Sequence, residues 1–131
     1  MSTARETGDA SGARVRIAAT YSFEAAHRLP HLPDGHKCKR LHGHNYRLDV
    51  AIAGPLDARG FVIDYAELDA VVQPLVDSLD HRYLNEIDGL DNPTSEVMAL
   101  WFRTRIMASL PGYDPVVRIW ETPRYWVEVP A

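Results

Sequence analysis

The strongest constraint on the fold is the alternation of apolar and polar residues in two segments that both contain histidine. Every second position of the first segment holds Tyr21, Phe23, Ala25 and His27. Every second position of the second holds His42, His44, Tyr46, Leu48, Val50 and Ile52. Successive side chains of a strand point to opposite faces, so this period is typical of strands with one buried face. The two segments predict an antiparallel strand pair with its histidines on the inner face.

Such pairing would bring His27 against His42 and His44. Three neutral imidazoles form the kind of zinc site that keeps a coordination position open, whereas structural zinc sites are closed by four ligands rich in thiolate. A histidine pair two residues apart is weak by itself, and the alternative is a polar hairpin segment with His27 as a satisfied buried residue. The combination favours a metal site formed by these three histidines.

The connection between the two segments contains the single cysteine of the chain, Cys38, among basic residues. These are Arg28, Lys37, Lys39 and Arg40. Neighbouring cations favour a thiolate, and long loops in compact domains are more often functional than short ones. We interpret Cys38 as reactive, with a solvated basic loop and a passive thiol as the alternative. His31 and His36 lie in the same loop, where nothing fixes their direction, and they are not assigned as ligands.

Length and charge limit the class of protein. The 131 residues predict one domain, over 14–131, preceded by a mobile tail over 1–13. A net charge of −4 argues against general nucleic-acid binding, although local positive charge would still allow an anionic small molecule. The first twelve residues lack the apolar stretch of a secretion signal, and no segment approaches the length of a membrane span. These features predict a soluble cytoplasmic protein.

The middle of the chain predicts two helices. The first begins at Asp64, with Glu67 completing a capping box, and ends near Asp80. Pro74 lies inside it and predicts a kink or break. The second is capped by Asn92 or Thr94 and extends to about residue 109.

Two strands follow, over 116–121 and 125–129. The element order is therefore strand, strand, helix, helix, strand, strand. An α+β domain with a four-stranded antiparallel sheet and two helices on one face accounts for that order.

Three titratable residues outside the histidine segments have open interpretations. Asp80 and His81 could transfer protons, or they could simply end the first helix. Glu121 shares the inward parity of its strand, and an inward carboxylate is costly unless it is paired. Its partner could be a heterocycle that offers an amino group and a ring N–H, or a buried arginine.

Five motifs in order resemble the 6-pyruvoyl-tetrahydropterin synthase superfamily over about residues 14–129. They are FEAAHRLP from Phe23, CKRLHGH from Cys38, LDHRYLN from Leu79, NPTSE from Asn92 and WET from Trp120. The gap of three residues between Cys38 and His42 resembles the branch that makes 6-carboxy-5,6,7,8-tetrahydropterin for queuosine. Alternatives are the pyruvoyl branch and a non-catalytic zinc or pterin-binding module.

The resemblance implies a tunnelling fold, assembled as two trimers that form a hexamer with active sites between subunits. It also implies one zinc per subunit and 7,8-dihydroneopterin triphosphate as substrate. By the same resemblance, His27, His42 and His44 bind zinc, Cys38 is the catalytic base, and Asp80 and His81 complete its proton relay. Glu121 would anchor the pterin ring, and the other substrate contacts would be Thr94, Ser95, Lys37 and Arg40.

Overall fold

The computed structural model of the chain describes residues 12–131. The predicted tail over 1–13 therefore lies almost entirely outside the described residues. Within 12–131, no helix combines the length and the apolar character needed to cross a membrane.

The sheet is built around two thirteen-residue strands, β1 (Val15–His27) and β2 (His42–Gly54). They pair antiparallel in one continuous register from Val15 opposite Gly54 to His27 opposite His42. β4 (Val116–Trp120) adds to β2, and β5 (Trp126–Val129) adds to β4, both antiparallel. These four strands are the predicted antiparallel sheet, and the predicted α+β class is confirmed.

A fifth, two-residue strand was not predicted. β3 (Arg82–Tyr83) pairs parallel with β1 at Ala25 and Ala26, which gives the order β3-β1-β2-β4-β5. A pair of residues is too short to show a hydrophobic period. Through β3, the segment that follows the first helix is held against the end of β1 that carries His27.

The first helix, α1 (Tyr65–Leu79), begins at the predicted cap, Asp64, but without the predicted capping box. The Asp64 side chain accepts a hydrogen bond from the Ala66 N–H. Glu67 does not complete a capping box, because it forms an ion pair with Arg59 at 3.1 Å. Of the kink or break predicted at Pro74, the break is absent, since the helix is continuous through that residue. Buried side chains on both sides of the proline hold the helix to the sheet: Leu68, Val72, Val76 and Leu79.

The second helix, α2 (Ser95–Ser109), follows the prediction closely. Thr94 is its cap, and its hydroxyl accepts from the Val97 N–H at 3.1 Å. Both helices pack on the face of the sheet that carries the buried side chains of β1, β2 and β4. The largest fully buried residues of this core include Tyr46, Leu48, Ile52, Phe102, Ile106 and Ile119. The polar side chains of the opposite sheet face remain at least partly exposed.

Candidate active site

The three predicted histidines meet at the end of the β1–β2 pair. His27 lies opposite His42, and His44 is the next inward residue of β2. One ring nitrogen from each lies within 4.8 Å of the others. His27 is fully buried, and the other two are partly buried. Strand alternation thus produces the cluster that the sequence predicted.

Backbone carbonyls orient two of the imidazoles. Nδ1 of His27 lies 2.8 Å from the Pro93 carbonyl oxygen, and Nδ1 of His42 lies 2.7 Å from that of Arg40. A carbonyl oxygen only accepts, so each Nδ1 is assigned the proton and each Nε2 a lone pair. The two Nε2 atoms are 3.1 Å apart. With both protons on Nδ1, neither Nε2 can donate to the other. A cation bound by both Nε2 atoms would relieve the repulsion between their lone pairs.

The third imidazole supports the same interpretation. Nε2 of His44 is buried and has no hydrogen-bond partner among the described residues. A buried polar atom without a partner is costly, and a metal ion would satisfy it. Three nitrogens oriented in part by carbonyl acceptors match the donor set of a zinc site with room for a further ligand.

Burial favours the neutral, metal-binding form of His27 and His44. Loss of hydration lowers the pKa of His27 and of His44 below the usual range, and the neighbouring His42 lowers both further. The Pro93 carbonyl raises the pKa of His27, and the Glu121 carboxylate raises the pKa of both histidines, but each by less than the loss of hydration lowers it. Neutral imidazole is the metal-binding form, so these two histidines do not depend on high pH to expose their lone pairs.

Glu121 lies beside this cluster, just after β4. Its Oε1 is 3.7 Å from Nε2 of His44, and its Oε2 accepts a hydrogen bond from the Ser95 hydroxyl at 3.1 Å. The protein partner of the inward carboxylate is therefore a buried serine at the start of α2, and not an arginine. Thr94 caps α2 and contributes its hydroxyl to the helix backbone. Glu121 and Ser95 form a polar wall next to the histidines.

Cys38 lies in a 3₁₀ turn, Lys37–Lys39, within the loop between β1 and β2. Its carbonyl accepts from the Leu29 N–H at 3.0 Å, and its N–H donates to the His36 ring at 3.0 Å. The thiol residue is half-buried and is tied to the chain two residues after His27. This contact folds the loop back toward the metal-binding end of β1.

The positive charges of this loop are not equivalent. Lys39 forms an ion pair with Asp34. Lys37 and Arg40 are exposed, and Arg40 additionally gives its carbonyl to His42. Of the three cations around Cys38, Lys37 and Arg40 are exposed and available to an anionic ligand, whereas Lys39 is already engaged.

Asp80 and His81 lie elsewhere. Nδ1 of His81 is 3.0 Å from Oδ2 of Asp80, and the Glu24 N–H donates to Oδ1 of Asp80 at 3.0 Å. These two hydrogen bonds, the backbone one first, lower the pKa of Asp80. The side chains of the pair are exposed, and His81 has a positive φ of 59°. Within residues 12–131, the hydrogen bonds and ion pairs of these two side chains reach Glu24 and each other, and none reaches Cys38.

The Asp80–His81 pair lies on the other face of the sheet from the histidine cluster. Its partner Glu24 alternates with the inward residues Ala25 and His27, so its side chain points away from the core. A recess of about 500 Å³ lies there, and it is lined by backbone or side chains of Glu24, Ala25, Ala26, Gly43, His44, Asn45, His81 and Arg82. One chain therefore does not bring the predicted proton relay together.

Sequence reasoning missed the groups that position the predicted residues. The Pro93 carbonyl orients His27, and the Asn85 side chain brackets Arg28 by accepting from its N–H at 3.0 Å and donating to its carbonyl at 2.9 Å. Both lie in motifs noted above, NPTSE and LDHRYLN. Only these motifs could have pointed to the two groups. Hydrophobic periodicity does not show which carbonyl accepts from an imidazole or which side chain binds a loop backbone.

Known proteins match the chain in both sequence and structure. The model of the family "6-pyruvoyl tetrahydropterin synthase" matches residues 16–131. The 6-carboxy-5,6,7,8-tetrahydropterin synthase of Synechocystis is 45% identical over 103 residues, covering 73% of this chain and 78% of that protein. The dihydroneopterin monophosphate aldolase of Pyrococcus furiosus is 39% identical over 118 residues, covering 88% and 97%.

A solved structure extends the match to the fold. The 6-pyruvoyl tetrahydropterin synthase of Caenorhabditis elegans superposes with a TM-score of 0.81 at 29% identity, covering 91% of this chain and 96% of the worm chain. The predicted fold class is confirmed by this likeness as well. With its histidine cluster and its five motifs, the chain belongs to the 6-pyruvoyl tetrahydropterin synthase family.

Proposed function

We propose that this enzyme converts 7,8-dihydroneopterin triphosphate and one water molecule to 6-carboxy-5,6,7,8-tetrahydropterin, acetaldehyde and triphosphate. The observation that carries the proposal is that the histidine cluster lies beside the Glu121 carboxylate, with Oε1 of Glu121 3.7 Å from Nε2 of His44. The Ser95 hydroxyl holds this carboxylate in place. Such a site can hold a planar heterocycle at one end and its hydroxylated side chain at the other. The name of the Synechocystis relative supports the carboxy product. The predicted queuosine context and cytoplasmic location belong to the same proposal.

The metal of this site is zinc in the proposal, held by His27, His42 and His44. When bound, zinc would act as a Lewis acid that makes the carbons next to the substrate hydroxyls easier to deprotonate. Glu121 accepts hydrogen bonds from the amino group and a ring N–H of the heterocycle. The Ser95 hydroxyl fixes the carboxylate so that its remaining lone pairs face the ligand.

Cys38 is the proposed base, and Asp80 and His81 are its proposed relay. A thiolate at Cys38 takes a proton from the substrate side chain, and the imidazole of His81, oriented by Asp80, carries protons onward. The exposed pair on the opposite face supports a relay completed by the Asp80–His81 pair of another copy. The hexamer of two trimers with active sites between subunits is proposed on that basis and on the family resemblance.

The triphosphate would lie against the loop that contains the thiol. Lys37 and Arg40 are exposed and available for charge-assisted hydrogen bonds to phosphate oxygens. Lys39 contributes less because Asp34 already neutralises it.

A second candidate reaction is supported by a specific relative. The Pyrococcus furiosus protein that is 39% identical over 88% of this chain is named as an aldolase that acts on dihydroneopterin monophosphate. The same histidine cluster and Glu121 could hold that monophosphate. The number of phosphates on the preferred substrate separates the two reactions.

Product identification by mass spectrometry tests the proposal. The zinc-loaded protein is incubated separately with 7,8-dihydroneopterin triphosphate and with the monophosphate, beside a metal-stripped control. Formation of 6-carboxytetrahydropterin and acetaldehyde from the triphosphate supports the proposal. 6-Pyruvoyl-tetrahydropterin would assign the pyruvoyl branch, and cleavage of the monophosphate alone would assign the aldolase. Tight pterin binding without turnover of either would indicate the non-catalytic module.

A further inference from the structure

An exposed tyrosine, Tyr125, lies opposite Glu121, the proposed substrate-binding carboxylate, across the β4–β5 hairpin. The Glu121 N–H donates to the Tyr125 carbonyl at 3.0 Å, which continues the β4–β5 register by one pair beyond Trp120 and Trp126. Residues directly opposite in an antiparallel pair project from the same face, with Cβ atoms about 4.5–5.5 Å apart. The side chains of Tyr125 and Glu121 therefore start from the same face of the sheet.

The space beside this pair is a recess of about 280 Å³. It is lined by Ser95, Glu96, Glu121, Tyr125, Trp126 and Val127. Tyr125 is 59% exposed, which is high for a large aromatic side chain next to an inward carboxylate. The Arg124 guanidinium lies 5.2 Å from the centroid of the ring, and it can cover one ring face at most. The other face is left for a ligand.

Exposure alone does not distinguish Tyr125 from the neighbouring Trp126, which is also exposed. Trp126 projects to the other face of the sheet, where the Arg118 guanidinium lies 3.8 Å from its ring centroid and the Trp120 ring lies 5.8 Å away. Those contacts account for Trp126 as part of a surface stack. Tyr125 shares the face and the recess of Glu121, and its phenol ring has the flat apolar surface that a heterocycle requires.

We propose that Tyr125 is a wall of the substrate site and stacks on the flat heterocycle whose edge Glu121 holds. The identity of that ring as a pterin rests on the proposed function. Hydrogen bonds to Glu121 fix the ring within its own plane, and stacking on Tyr125 fixes the tilt of the plane. The two restraints are independent, so Tyr125 acts on ring affinity and leaves the metal and the thiol unchanged.

Binding of 7,8-dihydroneopterin tests this role, because it presents the ring without the triphosphate. Its Kd is measured by calorimetric titration of the zinc-loaded full chain for wild type, Tyr125→Ala and Tyr125→Phe. Stacking of a base on an aromatic side chain is worth about 1–3 kcal/mol, so Tyr125→Ala is expected to raise the Kd about five- to 150-fold. Tyr125→Phe keeps the ring and is expected to bind like wild type. Tyr65→Ala, at another exposed tyrosine, serves as the matched control.

Four results overturn the inference. Unchanged affinity in Tyr125→Ala, with wild type binding the ring, removes Tyr125 from the site and leaves the proposed function standing. Weakened affinity in both Tyr125→Ala and Tyr125→Phe assigns the effect to the hydroxyl. A changed oligomeric state of Tyr125→Ala in size-exclusion chromatography assigns the tyrosine to a subunit contact. Failure of the wild type to bind 7,8-dihydroneopterin removes the proposed function and this inference together.

Discussion

The histidine cluster and the Asp80–His81 pair belong to one proposed active site, yet one chain builds them in opposite ways. The cluster lies on the inner face of the sheet, is partly or fully buried, and has two of its imidazoles oriented by backbone carbonyls. The pair lies on the outer face, is exposed, and contacts Glu24. Strand pairing within one chain assembles the histidine cluster, whereas the proton relay that we propose would need Asp80 and His81 from another copy.

Removal of a cluster ligand is expected to have the largest effect. His27→Ala deletes a buried proposed ligand. Mutation of groups that only hydrogen-bond to metal ligands already lowers metal affinity about 10–100-fold, so we expect zinc affinity to fall by at least that factor. Zinc content after dialysis, measured by atomic emission, checks this. His31→Ala is the matched control, since His31 is an exposed histidine of the adjoining loop. Full zinc occupancy in His27→Ala would remove the three-histidine site.

Removal of the thiol is expected to separate binding from chemistry. Cys38→Ala should keep zinc and the affinity for 7,8-dihydroneopterin, and it should lose about 10²–10⁴ in kcat, the usual contribution of a general base. Steady-state kinetics and zinc analysis of the same sample check both parts. Loss of zinc in this variant would mean that Cys38 is a ligand, and unchanged kcat would mean that it is not the base.

The exposed cations of the thiol loop are expected to have a smaller effect. Lys37→Gln and Arg40→Gln should each raise KM for the triphosphate about 1.4- to fivefold, because exposed charge pairs contribute about 0.2–1 kcal/mol. Lys39→Gln is the matched control, since Asp34 already neutralises Lys39. Added salt should reduce the differences. Equal KM values for all four proteins would place the triphosphate elsewhere.

The pH dependence of stability is expected to distinguish the two regions, with the smallest effect. His27 and His44 have lowered pKa values in the fold, so below the ordinary value of 6.5 the unfolded chain binds more protons. Stability of the metal-free protein should therefore fall as pH decreases through 6.5. The pKa of Asp80 is also lowered, and its contribution is lost only below the ordinary value of 3.8.

Thermal unfolding of the metal-stripped protein at pH 7.5 and pH 5.5 measures this difference. We expect Tm to fall by a few degrees in wild type and by less in His27→Gln, which lacks one of the buried imidazoles. An equal fall in both proteins would assign the pH dependence to groups outside the cluster. Asp80→Asn should leave the change between these two pH values unaltered.

The regularity of each region decided how far the sequence could predict it. Alternation over β1 and β2 predicted both strands, their pairing and the meeting of His27, His42 and His44, because side-chain direction in a strand follows from position alone. Caps and apolar spacing likewise predicted both helices. The two-residue strand β3 and the carbonyls that orient the imidazoles have no periodic signal.

The placement of Asp80 and His81 was beyond the sequence for a different reason. Their direction depends on how the chain leaves α1, where His81 adopts a positive φ of 59° and pairs its N–H with the Glu24 carbonyl. No local pattern specifies that turn. The motif resemblance gave the pair a role, but the face of the sheet on which it lies emerged only with the fold.

Mixing of two inactive variants tests most directly whether the two halves of the site come from different chains. Cys38→Ala and His81→Ala are unfolded together, refolded as a mixture and assayed for turnover of 7,8-dihydroneopterin triphosphate, beside each variant refolded alone. Random assembly of a symmetric oligomer with sites between subunits leaves about a quarter of the sites intact, so about a quarter of the wild-type activity should return. Activity that stays at the level of the separate variants would contradict a relay shared between chains.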